Sequence, residues 1–169
     1  VICRLMTDRK PLPGKLAFSR DLFVLLFLLR GMPFVDLAFL RRCDLQGNVI
    51  TYHRRKTSRK LTVVVGKEAM EIIQKYMYAI PDSPYLFPII QNPGKDEYGQ
   101  YARMLRLQNY RLTQVANILG IRDRLSTYTA RHTWATTALR QNYNSSLICD
   151  AMGHSSVKVI ETYFQPYRD

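Results

Sequence analysis

The stretch Ser126-Thr127-Tyr128-Thr129-Ala130-Arg131-His132-Thr133-Trp134-Ala135-Thr136 decides how this chain is read. It sets a phenol, a guanidinium and an imidazole (Tyr128, Arg131, His132) within five positions. From Thr133 the pattern turns helical, and a helix is expected over Thr133 to Gln141. Trp134 and the aliphatic residues around it read as core. Helical patterns flank the stretch on both sides, Tyr101 to Leu119 before it and Ser145 to Met152 and Val157 to Phe164 after it. Gly120, Asn142 to Ser145 and Gly153 punctuate these segments.

Further upstream, Pro11, Pro13 and Gly14 mark a loop. The apolar run Leu22 to Leu29, closed by Arg30-Gly31, predicts a buried helix with Ser19 or Asp21 near its N-cap. Pro33 opens a second helix, Phe34 to Leu40, with Asp36 in its first turn, placed to anchor an arginine or cap the helix. Gln46-Gly47-Asn48 is a turn signal. The β-branched runs Val49 to His53 and Leu61 to Val65 read as strands. Between them Arg54 to Lys60 forms a hairpin tip with five cations in seven residues. Glu68 to Ala79 is helical in period, and Pro81 to Gly99 reads as a long loop. The expected fold class is mainly α with a small antiparallel β-hairpin.

The 169 residues suit one domain. A chain of that length buries about 70% of its unfolded surface, so it needs no disulfide framework. Its composition, 47% apolar and 22% charged, argues against disorder. The longest apolar run is eight residues, against roughly 20 for a membrane span. No membrane partner is expected. No leader is visible, and the three scattered cysteines (Cys3, Cys43, Cys149) suit a reducing compartment, so a cytoplasmic location is expected. Charge is more informative. Lys plus Arg number 25 and Asp plus Glu 13, a net +12, with a pI near 9.9. Such an excess draws a polyanion, and a phosphate backbone is the commonest one. The plainer alternative is a basic surface that only keeps the chain soluble.

Several chemistries are excluded by spacing. His53, His132 and His154 lie far apart, and no Cys/His pair has metal-ligand spacing. The glycines are scattered, so no phosphate loop forms. Acidic residues are too few for a convincing carboxylate pair. Neither metal nor cofactor is expected. What remains is a set of Arg, Lys, His and Tyr suited to metal-free chemistry on a phosphodiester.

The opening stretch resembles the H-x-x-R-H-T-x-A-T box of the tyrosine recombinase (phage integrase) family. Ala151-Met152-Gly153-His154-Ser155-Ser156 resembles its L-G-H-S-S box, and Glu161-Thr162-Tyr163 the ending that supplies its nucleophile. Arg30-Gly31-Met32-Pro33-Phe34-Val35-Asp36-Leu37, followed by Leu40 to Leu45, is similar to the first-arginine box. Lys56-Thr57 is similar to the family's hairpin lysine. The boxes occur in the family's order, and His154 to Tyr163 is nine positions, the family spacing. The wording is nearest to integrases and invertases of mobile elements.

The resemblance implies the family's catalytic-domain fold. It also implies site-specific cutting and rejoining of double-stranded DNA through a 3′-phosphotyrosine. Residues 1–169 are expected to be one catalytic domain, without the N-terminal DNA-clamping domain of relatives and with a shortened tail. The full protein is expected to act as a homo-tetramer on DNA, and this domain alone to be a monomer. Whether it integrates, excises or inverts depends on the arrangement of sites.

In that scheme the Tyr163 phenol is the nucleophile. Arg131 holds the charge that builds on phosphorus oxygens, and Lys56 gives a proton to the leaving oxygen. His154 hydrogen-bonds the phosphate or manages the tyrosine proton. Arg54, Arg55, Arg59 and Lys60 are expected phosphate contacts. His132 joins the DNA-facing set mostly as support.

Two departures from the family pattern stand out. Tyr128 replaces a histidine, and a phenol with a pKa of about 10 donates rather than accepts near neutrality. Pro33 stands where the first catalytic arginine belongs. Arg30, three residues earlier and nearly one helical turn away, is the expected substitute, with Arg41 or Arg42 as alternatives. A strand-swivelling topoisomerase of the same chemistry, a DNA-binding module that has lost activity and an unrelated basic domain are the alternative functions.

Overall fold

The computed structural model describes residues 1–154. The helix expected over Val157 to Phe164, together with Tyr163 itself, lies outside them. The elements run α1 (Ile2–Thr7), α2 (Gly14–Leu28), α3 (Phe34–Ala38), a turn of 3₁₀ helix (Arg42–Asp44), β1 (Leu45–Gln46), β2 (Val49–His53) and β3 (Lys60–Val64). Then come α4 (Lys67–Tyr76), α5 (Glu97–Leu119), α6 (Thr127–Arg140) and α7 (Ser145–Met152). The fold is mainly α with one antiparallel sheet in the order β1-β2-β3. Among the described residues no helix is long and apolar enough to cross a membrane.

α2 is the axis of the core. It is apolar nearly all round, and such a helix must be enclosed. α1, α4, α5 and α6 pack around it, and Leu22, Leu25 and Leu26 are fully buried. It starts at Gly14, capped by Pro13, well before the expected Ser19 or Asp21. Those two residues sit inside the helix and are buried. Asp21 accepts hydrogen bonds from Tyr76 Oη at 2.6 Å and Lys75 Nζ at 3.0 Å, pinning α2 to α4. α2 ends in two consecutive left-handed residues, Arg30 at φ 60° and Gly31 at φ 67°. These turn the chain into α3, which starts at Phe34 as expected, with Pro33 one position before it and not inside its first turn.

In the sheet, Ile50 and Tyr52 of β2 and Leu61 and Val63 of β3 face the core. His53 pairs with Lys60 at the hairpin mouth. Strand β1 and helix α1 were not expected. α1 is a single turn and a half, and β1 a two-residue extension that sheet pairing alone creates.

α6 begins six residues before the expected Thr133. Ser126 starts it: its side chain accepts from the Thr129 N–H at 3.2 Å, and its N–H donates to Thr129 Oγ1 at 2.8 Å. This reciprocal cap offsets the weak helix preference of a threonine-rich first turn. A second, smaller cluster joins α6 to α7 through Ala135, Ala138, Ile148, Cys149 and Met152, with Trp134 packed against it.

Candidate active site

Arg131 projects from α6 and is only 6% exposed. Its Nη1 donates to the Gly31 carbonyl at the end of α2. Its Nη2 donates to the Met152 carbonyl at 3.1 Å and lies 3.2 Å from His154 Nε2. Gly31 is required here, because a Cβ would sit 3.2 Å from the Arg131 Cα in a left-handed backbone. One guanidinium thus joins the ends of α2 and α7.

His154 follows Gly153, which closes α7 at φ 68°. Burial, then the charges of Arg131, Arg54 and Lys56, lower its pKa to about 4. The ring is therefore a neutral imidazole at ordinary pH.

The hairpin arches over this corner. Its turn is closed by Arg54 N–H to Arg59 O at 2.8 Å and Ser58 N–H to Arg54 O at 2.7 Å. Lys56 stands exposed at the tip, with its charge felt at His154. Arg59 ties the tip down: Nη1 donates to the His154 carbonyl at 3.0 Å, and Nη2 pairs with Asp150 at 2.8 Å. Arg55 lays its guanidinium over the Phe39 ring at 3.9 Å. Lys60 is exposed at the start of β3.

Arg54, one of the expected phosphate contacts, is buried at 6% exposure. Its Nη1 donates to the carbonyls of Met152 at 3.2 Å and Gly153 at 3.1 Å. Its Nε faces Asp36 Oδ2 at 3.5 Å. Strand alternation held the signal for this, because Arg54 shares parity with the inward Ile50 and Tyr52. Asp36 anchors this arginine and also accepts from the Arg55 N–H at 3.0 Å, in line with its sequence reading.

Tyr128 is on the first turn of α6 and 62% exposed, three residues before Arg131 on the same helix. His132 is half-buried. Arg30, the expected substitute for the missing arginine, lines a groove of about 560 Å³ with Phe27, Trp134, Tyr143 and Leu147. Its Nη1 lies 3.5 Å from the Thr62 carbonyl. Arg42, an alternative substitute, spends its donors on the carbonyls of Met77, Ile80 and Pro81 at 2.6 to 2.9 Å. Arg41 stacks near Tyr85.

The structure therefore gathers Arg131, His154, Lys56 and Arg54 around one corner formed by four segments.

The model of the phage integrase family matches residues 2–169. Among solved structures, the chain is similar to XerA recombinase, with 19% identity, a TM-score of 0.67, and coverage of 98% of this chain and 56% of that one. It is similar to XerH site-specific recombinase bound to difH substrate, with 16% identity, a TM-score of 0.72, and coverage of 97% and 48%. The Tn1549 transposon integrase in complex with a circular intermediate DNA gives 18% identity, a TM-score of 0.65, and coverage of 95% and 64%. The chain spans about half to two thirds of the length of these structures. Among curated proteins none matches. With a family match over nearly its whole length and the fold of the tyrosine recombinases, the chain belongs to the phage integrase family.

Proposed function

We propose that this chain is a catalytic domain that cuts and rejoins double-stranded DNA through Tyr163, as part of a recombinase of a mobile element. The observation that carries the reading is the contact of Arg131 with His154 at 3.2 Å, beneath a hairpin that presents Lys56. A cationic corner with a neutral imidazole suits phosphoryl transfer. The Tyr163 oxygen attacks phosphorus and its proton passes to His154. The bond from phosphorus to the 5′ oxygen breaks, and that oxygen takes a proton from Lys56. Arg131 stays protonated and holds the nonbridging oxygens as charge builds on them. Tyr128, Arg55 and Lys60 supply donors to the flanking backbone. The phosphotyrosine conserves the bond energy, so a 5′-hydroxyl rejoins without ATP. In the full protein the domain works within a tetramer on DNA.

The test is covalent trapping in EDTA on end-labelled nicked duplexes drawn from a random-sequence pool. The native chain gives a slow band on a denaturing gel, and Tyr163→Phe gives none. A band from both would move the nucleophile elsewhere. Salt-sensitive DNA binding with no band from either would favour a binding module that does not cleave.

A further inference from the structure

One position in this chemistry is vacant. Phosphoryl transfer concentrates charge on two nonbridging oxygens, and Arg131 is a single fork. At the start of α3, Pro33 has no donor to offer. We propose that Arg54, entering from the hairpin, supplies the second guanidinium and grips the scissile phosphate together with Arg131. This rests on the strand-cleavage reading above.

Four observations carry it. Arg54 and Arg131 both donate to one oxygen, the Met152 carbonyl, at 3.2 and 3.1 Å. Two like charges held this close are costly, and an anion between them relieves the cost. Second, the burial of Arg54 is poorly rewarded within the protein. A buried guanidinium needs a well-made ion pair, yet Arg54 Nε and Asp36 Oδ2 stand 3.5 Å apart, both buried and both without a hydrogen-bond partner. Both of its carbonyl bonds are made by Nη1. A buried donor without a partner calls for an explanation, and a bound anion is one that fits a cationic corner.

Third, Arg54 acts on the His154 ring alongside Arg131 and Lys56, so it faces the same reaction space. Arg30 instead lines the groove beside Trp134. Fourth, the path of Arg54 into this space depends on a glycine. A Cβ on Gly153 would lie 2.6 Å from Arg54 Cδ.

No bond to Arg54 forms or breaks. It remains protonated while phosphorus gains the Tyr163 oxygen and loses the 5′ oxygen. The arginine has moved from a helix start to a strand end, and it rides on the same hairpin as the proton donor.

Once trapping has mapped a cleaved position, that duplex is made twice, with an ordinary phosphodiester and with an uncharged methylphosphonate at the scissile link. With the full chain, Arg54→Ala is expected to slow adduct formation on the phosphodiester by about 10²–10³. On the methylphosphonate, which has less charge to stabilise, the loss should stay below about tenfold. The ratio of the two rates is insensitive to a misfolded fraction, which lowers both alike. If melting shows Arg54→Ala unfolded, Arg54→Gln, which keeps a donor for the two carbonyls, is read in the same way. Equal losses on both substrates, or cleavage as fast as wild type, would overturn the assignment while leaving the strand-cleavage reading intact. A wild-type chain with no Tyr163-dependent adduct would overturn both.

Discussion

Two aspartates are buried among the described residues, and their surroundings differ in kind. Asp21 lies between α2 and α4, and Asp36 lies on α3 beneath the hairpin; they are 7% and 4% exposed. Burial works against both charges. At Asp21 it is outweighed by hydrogen bonds from Tyr76, Lys75 and Arg20, which hold the carboxyl below the usual range. At Asp36 burial wins, and the carboxyl is raised despite the Arg55 N–H and the charges of Arg54 and Arg131. The first is a finished structural joint. The second is an unfinished one, with an oxygen and a facing guanidinium nitrogen left unbonded. Buried polar atoms without a partner call for an explanation, and at Asp36 the proposed phosphate grip of Arg54 supplies one.

The contrast breaks most visibly under substitution. Asp21→Ala removes the acceptor shared by Lys75 and Tyr76, and because Lys75 is half exposed the cost is that of the lost hydrogen bonds, about 1–3 kcal/mol. Denaturant unfolding should show that loss, and cleavage per folded molecule should be unchanged. Asp36→Asn removes the carboxylate that faces buried Arg54 at 3.5 Å, so it should also cost stability, and unlike Asp21→Ala it should slow adduct formation per folded molecule. Slower cleavage with Asp21→Ala and unchanged cleavage with Asp36→Asn would invert the comparison.

Gly153→Ala probes the site side more gently. It forces a side chain into a left-handed backbone and against Arg54 Cδ, a strain of about 1–3 kcal/mol. Melting should fall by that amount, and adduct formation should fall further, because Arg54 is displaced. Equal melting with wild-type cleavage would show that the Arg54 path is not constrained there.

The smallest effect is in pH. His154 titrates at about 4 against an ordinary 6.5, so the unfolded chain binds its proton more readily than the folded one. Stability from this residue is present above pH 6.5 and declines as pH falls toward 4. Asp36 has the opposite sign: its raised carboxyl favours folding as pH falls through its range. Melting followed across that window should decline for wild type and flatten for His154→Gln. An identical profile in both would remove His154 from the titrating set.

Much of this was legible in one dimension. The hairpin strands, the start of α3 at Phe34 and the Asp36 anchor follow from alternation and local chemistry. Arg131 and His154 lie only 23 positions apart, in boxes whose order resembles a family. What escaped was of two kinds. The helix start at Thr127 is carried by the Ser126 cap in a stretch of weak helix preference, so periodicity alone begins it late. The inward course of Arg54 depends on carbonyls 98 and 99 positions away, and no local pattern announces such partners. Parity with Tyr52 was the one available hint, masked by the run of cations in which it sits.

The ties of Arg59 to the His154 carbonyl and to Asp150 have a mechanical consequence. The hairpin tip cannot lift without breaking them, nor can residues 150–154 shift alone. Opening of either segment is then one cooperative event, with a single local unfolding free energy for both. Lys56 and His154, the groups proposed to give and take the protons, would then enter or leave register together.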